Sequence, residues 1–146
     1  MLDEDIRLVQ TSFAKVVPIK DAAAELFYSR LFLIAPEVEP MFRGDMKDQG
    51  AKLMATLGVV VKGLSDLDAL LPVAEDLAAR HVTYGVRPAH YKPVGEALIW
   101  TLRNGLGDEF TAATEAAWTK AYRTLSNAMI RSAYAELDRD GVIAAE

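Results

Sequence analysis

Apolar residues recur along nearly the whole chain at intervals of three and four, the period of a helix with one buried face. The apolar–polar alternation of a half-buried strand is missing, and the short run "GVVV" at 58–61 lies inside a longer helical period. The pattern predicts an all-α fold. Proline and glycine cut the period at Pro18, at Pro36 and Pro40, at Gly44, at Gly63 with Ser65, at Gly85 with Pro88, at Gly105 with Gly107, and at Gly141. Six main helices result: Asp3–Val16, Ile19–Ile34 followed by a short turn through Phe42, Lys47–Lys62, Leu67–Val82, Ala89–Asn104 and Asp108–Leu137. With no internal repeat, low-complexity tract or linker between them, residues 1–146 read as one domain.

Three of these helices carry a polar side chain on an otherwise apolar face. In the fourth, Leu67, Leu71, Ala74, Ala78 and His81 share one stripe, which turns His81 inward near a helix end. In the second, Ala24, Tyr28, Leu31, Phe32 and Ala35 line up in the same way, so the Tyr28 hydroxyl needs an interior partner. The third presents Gln49, Leu53, Thr56, Leu57 and Val60, with Lys52 at the edge of that face. Taken singly, each has an ordinary explanation: a satisfied core histidine, a packing tyrosine, a glutamine that caps a helix. Together, one inward imidazole and two inward hydrogen-bond donors on different helices suit a metal cofactor with a gaseous ligand.

Composition narrows the chemistry. The 146 residues are 51% hydrophobic, enough for one sizeable core. There is no cysteine, which excludes thiolate metal sites and cysteine nucleophiles and leaves histidine, carboxylate or tyrosine to hold a metal. Only two histidines are present, His81 and His90. A net charge of −5 without a basic run argues against nucleic acid as a partner. The start, "MLDEDIRLVQ", is acidic where a signal peptide would be basic and then apolar, and no stretch is long enough for a membrane span, so a cytoplasmic location is expected.

The segments "AELFYSRLFLIAPEVEPMF", "DQGAKLMATL", "LPVAEDLAARHVTYGVRPAHYKPVGEAL" and "EAAWTKAYRTLSNAMI" resemble the globin family. The resemblance is to bacterial single-domain haemoglobins of the Vitreoscilla type and to the haem domain of flavohaemoglobins, and it covers essentially the whole chain. It implies a globin fold, helices packed three-over-three around a pocket for haem b (iron protoporphyrin IX). His81 matches the proximal histidine, the one protein ligand to the iron. Phe42 matches the aromatic residue that stacks on the porphyrin, and Tyr28 and Gln49 match the distal pair, with Leu53 closing over the iron. Val94 joins the cofactor-binding set, and Lys52 is either the partner of a haem propionate or a solvated lysine. Buried O–H and N–H donors stabilise the partial negative charge on bound dioxygen, so the resemblance implies slow oxygen release.

Behind the iron the resemblance is incomplete. Tyr91 matches the tyrosine of a histidine, tyrosine and glutamate network, but the glutamate position aligns with Ala133, and Glu136 lies nearly one turn beyond it. Without that carboxylate, the His81 N–H is expected to bond a backbone carbonyl, weakening the imidazole's donation of charge to iron and arguing against strong peroxidase-like or dioxygenase activity. The segment between Phe42 and Gln49 is about three residues shorter than in the Vitreoscilla type, which leaves Gln49 free to point in or out. His90 suits a solvent-facing or first-turn role, since adjacent helical residues diverge by about 100° and Tyr91 is the one expected inward. A glutamine at the distal position implies a five-coordinate ferrous form.

The expected function is therefore reversible binding of dioxygen, for transport, storage or sensing of supply. The alternatives are conversion of nitric oxide to nitrate, or a haem-free globin-fold signalling module. Carbon monoxide and nitric oxide are the other expected ligands. The chain ends at Glu146 with no flavin or nicotinamide module, so a catalytic cycle would require a separate ferric reductase. Apolar positions on the last two helices serve either a homodimer or the core of a monomer.

Overall fold

The structure is a computed structural model that describes residues 2–139, with side chains through Ala133. Met1, residues 140–146 and the side chain of Glu136 lie outside the described residues. Six α-helices form, α1 (Asp3–Val16), α2 (Lys20–Ile34), α3 (Met46–Gly63), α4 (Leu67–Thr83), α5 (Tyr91–Leu106) and α6 (Ala112–Arg139), and no strand occurs among the described residues. Tight 3₁₀ turns occupy Val17–Ile19, Pro36–Met41, Pro88–His90 and Gly107–Glu109.

Local chemistry sets the helix starts. Three acidic residues, Asp3, Glu4 and Asp5, open α1, where the helix dipole favours negative charge. Asp45 caps α3 by accepting the Lys47 N–H at 2.8 Å, and Asp66 caps α4 by accepting that of Ala69 at 3.3 Å. The last two helices start two or more residues later than the periodicity predicts. The last helix begins at Ala112 rather than Asp108, because Gly107 turns the chain at φ +58° and the Thr111 hydroxyl accepts the Thr114 N–H. The fifth begins at Tyr91 rather than Ala89, because the Arg87 N–H bonds His90 Nδ1 and tightens the entry into a 3₁₀ turn.

The helices form two layers. Packing joins α1 to α3 and α3 to α4 in one, α2 to α5 and α5 to α6 in the other, and α4 on α6, α1 on α6 and α2 on α3 across them. This is the three-over-three arrangement. A buried hydrogen bond from Trp118 Nε1 to Ser12 Oγ, 2.8 Å long, ties α6 to α1. At the α2–α3 crossing, a Cβ on Gly50 would sit 2.9 Å from that of Ala24, so the two helices touch through their smallest residues.

The core divides in two. The larger cluster, built on Phe13, Phe27, Tyr28, Leu31, Leu102 and Trp118, fills the space among α1, α2, α3, α5 and α6. The smaller consists of Ala74, Ala78, Tyr91 and Met129, from α4, the start of α5 and α6. Leu77 and Leu125 pack against both. On α4 the buried stripe is Leu70, Ala74 and Ala78, whereas Leu67 and Leu71, expected on that face, are 44% and 50% exposed. Leu70 takes the inward place at this end because it fits against Gly63, whose missing side chain leaves the room.

Candidate functional site

His81 stands in the last turn of α4, where its surroundings fix both its backbone and its ring. Gly85, at φ +92°, ends the helix in a left-handed conformation. The Gly85 N–H bonds the Val82 carbonyl at 3.0 Å and the Val86 N–H bonds that of His81, also at 3.0 Å. This paired closure is a Schellman motif with His81 at its first carbonyl. Val86, three residues past the helix, packs into the smaller cluster and holds the turn down.

The His81 ring places Nδ1 2.6 Å from the Leu77 carbonyl, one turn back. A carbonyl only accepts, so Nδ1 carries the proton and Nε2 keeps a bare lone pair. Burial pushes the His81 pKa down; the bond to Leu77 opposes that shift and the Arg80 charge adds to it. The resulting neutral imidazole with one free nitrogen is the form that ligates a metal. Tyr91, the first residue of α5, is buried and lies nearly parallel to it, ring centroids 6.2 Å apart and planes 21° from each other. Ala133 packs into the same cluster, so the wall behind His81 is apolar at the position where a carboxylate was sought.

Tyr28 is buried in an aromatic group on α2 and the turn that follows it. Phe42 and Phe27 meet it edge-on at 5.1 and 5.2 Å, and Phe32 lies against it at 5.8 Å. Burial pushes the Tyr28 hydroxyl pKa up to about 12, so it remains a donor at neutral pH. Its proton is directed at the Gln49 backbone carbonyl, 3.2 Å away. The Gln49 amide turns toward the loop and donates to the Arg43 carbonyl at 2.8 Å. The tight passage from Phe42 to α3 explains that choice: Arg43 precedes the helix and its carbonyl lies within reach of the first-turn side chain. The structure thus joins Tyr28 to Gln49 through the main chain, not through the amide.

The remaining sequence-predicted residues divide by exposure. Phe42, Leu53 and Val94 are half-buried and pack against the larger cluster, while Lys52 is exposed. His90 is half-buried, with Nδ1 accepting the Arg87 N–H. Tyr122 and Gly95 were not singled out by the sequence. The Tyr122 hydroxyl donates to the Tyr91 carbonyl, and its ring covers the face of Gly95. The one signal that could have found them is a glycine inside the α5 pattern, one turn beyond Tyr91.

These residues fit haem. A flat apolar ring needs apolar walls that the protein alone does not fully cover, and Phe42, Leu53, Leu57, Leu77, Val86 and Val94 are all partly buried. An iron in that ring needs one neutral nitrogen, and the His81 imidazole carries one. Among the described residues there is no cluster of three or more histidine, aspartate or glutamate side chains that could hold a bare metal ion.

The comparisons with known proteins agree with this fold. The globin family profile matches residues 25–129. A flavohemoprotein of Vibrio cholerae is 29% identical over 98% of this chain and 35% of its own length. One from Bordetella parapertussis is 32% identical over 97% of this chain and 37% of its own length. The chain therefore spans little more than a third of these relatives. A solved bacterial globin from Campylobacter jejuni superposes with a TM-score of 0.81 at 25% identity, covering 94% of this chain and 99% of that one. With a matching profile across most of its length, a three-over-three fold and a ligand-ready histidine at the end of α4, the chain belongs to the globin family.

Proposed function

We propose that this globin holds haem b through His81 and binds dioxygen reversibly on the side facing Tyr28 and Leu53. Haem, when bound, would supply the iron that takes up a diatomic gas. His81 contributes Nε2, with its ring oriented by the Leu77 carbonyl and the Tyr91 face. Phe42 and Val94 provide apolar contact for the ring edge, and Lys52, being exposed, can reach a propionate. Tyr28 is the buried donor on the gas side; it must give up the Gln49 carbonyl to serve there, which moderates its hold on oxygen. Carbon monoxide and nitric oxide are further ligands of the same site.

The observation that carries this reading over nitric oxide conversion is the bond between His81 Nδ1 and the Leu77 carbonyl. A neutral carbonyl leaves the imidazole a weaker donor of charge than a carboxylate would, which suits holding oxygen more than activating it. The flavohemoprotein relatives, nearly three times as long, keep nitric oxide conversion as the second reading, with a separate reductase as the partner it requires. Absorption spectra of the purified protein test the proposal. Oxidised protein should show a Soret band at about 400 nm. The dithionite-reduced form should be five-coordinate and should shift on addition of carbon monoxide. Failure to take up haem on reconstitution would overturn it, and sustained nitric oxide turnover with an added reductase would favour the second reading.

A further inference from the structure

We infer that Tyr122, on α6, is a positioning residue for His81: it anchors the first turn of α5 and thereby holds the Tyr91 ring against the imidazole. The inference rests on the reading of His81 as the iron ligand. A Cβ built on Gly95 would lie 2.6, 2.9 and 3.2 Å from three atoms of the Tyr122 ring, so the ring fills the space that any larger residue would claim. From that seat the hydroxyl reaches the Tyr91 carbonyl, one turn earlier on α5. Burial first, and the neighbouring Tyr91 phenol second, push the Tyr122 pKa well above the usual tyrosine range, with a hydrogen bond to the Gly95 backbone partly offsetting them. Tyr122 therefore stays a protonated donor.

The first turn of α5 needs such an anchor. It follows the 3₁₀ turn Pro88–His90, and Pro93 at its third position has no N–H to give back toward Ala89. Helix starts with few backbone bonds open most readily. Tyr91 stands at that start, and its ring is the near-parallel neighbour of His81. The bond to Leu77 holds one nitrogen of the imidazole but leaves the ring plane free to rock about that contact. Tyr91 limits the rocking, and Tyr122 limits the movement of Tyr91. The route runs from α6 through the backbone of α5 to a side chain on α4.

Tyr122→Phe keeps the ring over Gly95 and removes only the hydroxyl. In the reduced, haem-loaded protein, the iron–histidine stretching band should shift or broaden relative to wild type. In the haem-free protein, amide exchange at Tyr91 and Gly95 should accelerate about five- to tenfold, the loss of one hydrogen bond. Ser12→Ala, which removes a bond of α6 far from His81, is the control for general loosening and should leave the band in place. Gly95→Ala, which displaces the ring, should reproduce or exceed the effect of Tyr122→Phe. An unchanged band and unchanged exchange in Tyr122→Phe would overturn the inference, as would an equal band shift in Ser12→Ala. If wild type itself gave no iron–histidine band, the reading of His81 would fail instead. The exchange measurement would then decide alone whether Tyr122 anchors Tyr91.

Discussion

The imidazole of His81 and the phenol ring of Tyr91 lie 6.2 Å apart and only 21° from parallel, although they come from different helices. Their alignment joins the end of α4 to the start of α5 across the turn made by Gly85, Val86 and Pro88. A metal held at His81 would be held by this corner as a whole, and the following expectations test its parts.

Removing the imidazole should abolish haem retention. His81→Ala protein, reconstituted and passed through a desalting column, should keep little of the wild-type Soret absorbance while its far-ultraviolet circular dichroism stays helical. Added free imidazole should restore part of the absorbance by filling the vacated place. Full haem retention in the variant would show that another group holds the iron.

Tyr28→Phe keeps the aromatic packing with Phe27, Phe32 and Phe42 and removes one buried hydroxyl. Oxygen dissociation, followed by stopped flow, should accelerate by about three- to tenfold, since a net hydrogen bond is worth about 0.5–1.5 kcal/mol. The moderate size follows from the present bond to the Gln49 carbonyl, which the hydroxyl exchanges for the gas. An unchanged rate would remove Tyr28 from the gas-binding role.

Acid should weaken the haem-free fold through His81. Burial lowers its pKa below the ordinary histidine value of 6.5, so just beneath that pH the unfolded chain binds a proton that the folded one refuses. Stability is therefore level above pH 6.5 and falls as the pH drops through it. Urea midpoints at about pH 7.5 and about pH 5.5 should show the fall in wild type and in His90→Gln, and a smaller one in His81→Phe.

Gly85→Ala should destabilise the protein by about 1–2 kcal/mol, because a side chain at φ +92° meets the following carbonyl. Loosening the Schellman closure also frees the His81 carbonyl, so haem should transfer faster to an apomyoglobin acceptor. Both effects are read on the same sample, by thermal unfolding and by the transfer rate. A destabilised variant with an unaltered transfer rate would separate the turn from the ligand.

Ser12→Ala leaves the Trp118 N–H buried without its acceptor, at a cost of about 1–3 kcal/mol in chemical denaturation. Adding Trp118→Phe removes the stranded donor as well and should recover part of that loss. The haem spectrum should not move in either variant.

Much of this was legible in the sequence, for physical reasons. The 3.6-residue period marks helices wherever one face is buried, and glycine near an imidazole marked the end of α4, because a left-handed residue is needed to close a helix there. Helical spacing turns Tyr28 and His81 inward and the family resemblance does so for Tyr91, and in the structure Tyr28 and Tyr91 are buried and His81 half-buried. What remained hidden depends on neighbours from elsewhere in the chain. Leu71 and Leu70 are equally apolar, and only the gap at Gly63 decides which one turns inward. The Gln49 amide follows the path of the loop after Phe42, which no periodicity describes. Tyr122 acquires its role only because Gly95, on another helix, carries no side chain.

The division of the core bears on how such a protein can change over generations. Tyr28 belongs to one cluster and Gly85 leads into the other, and among the described residues only Leu77 and Leu125 pack against both. Substitutions without shared partners combine additively, typically within about 0.5 kcal/mol. Tyr28→Phe and Gly85→Ala should therefore sum in the double variant. Under the proposed function, a lineage could adjust how long a gas stays without altering how firmly the metal is gripped, and selection could act on each trait separately.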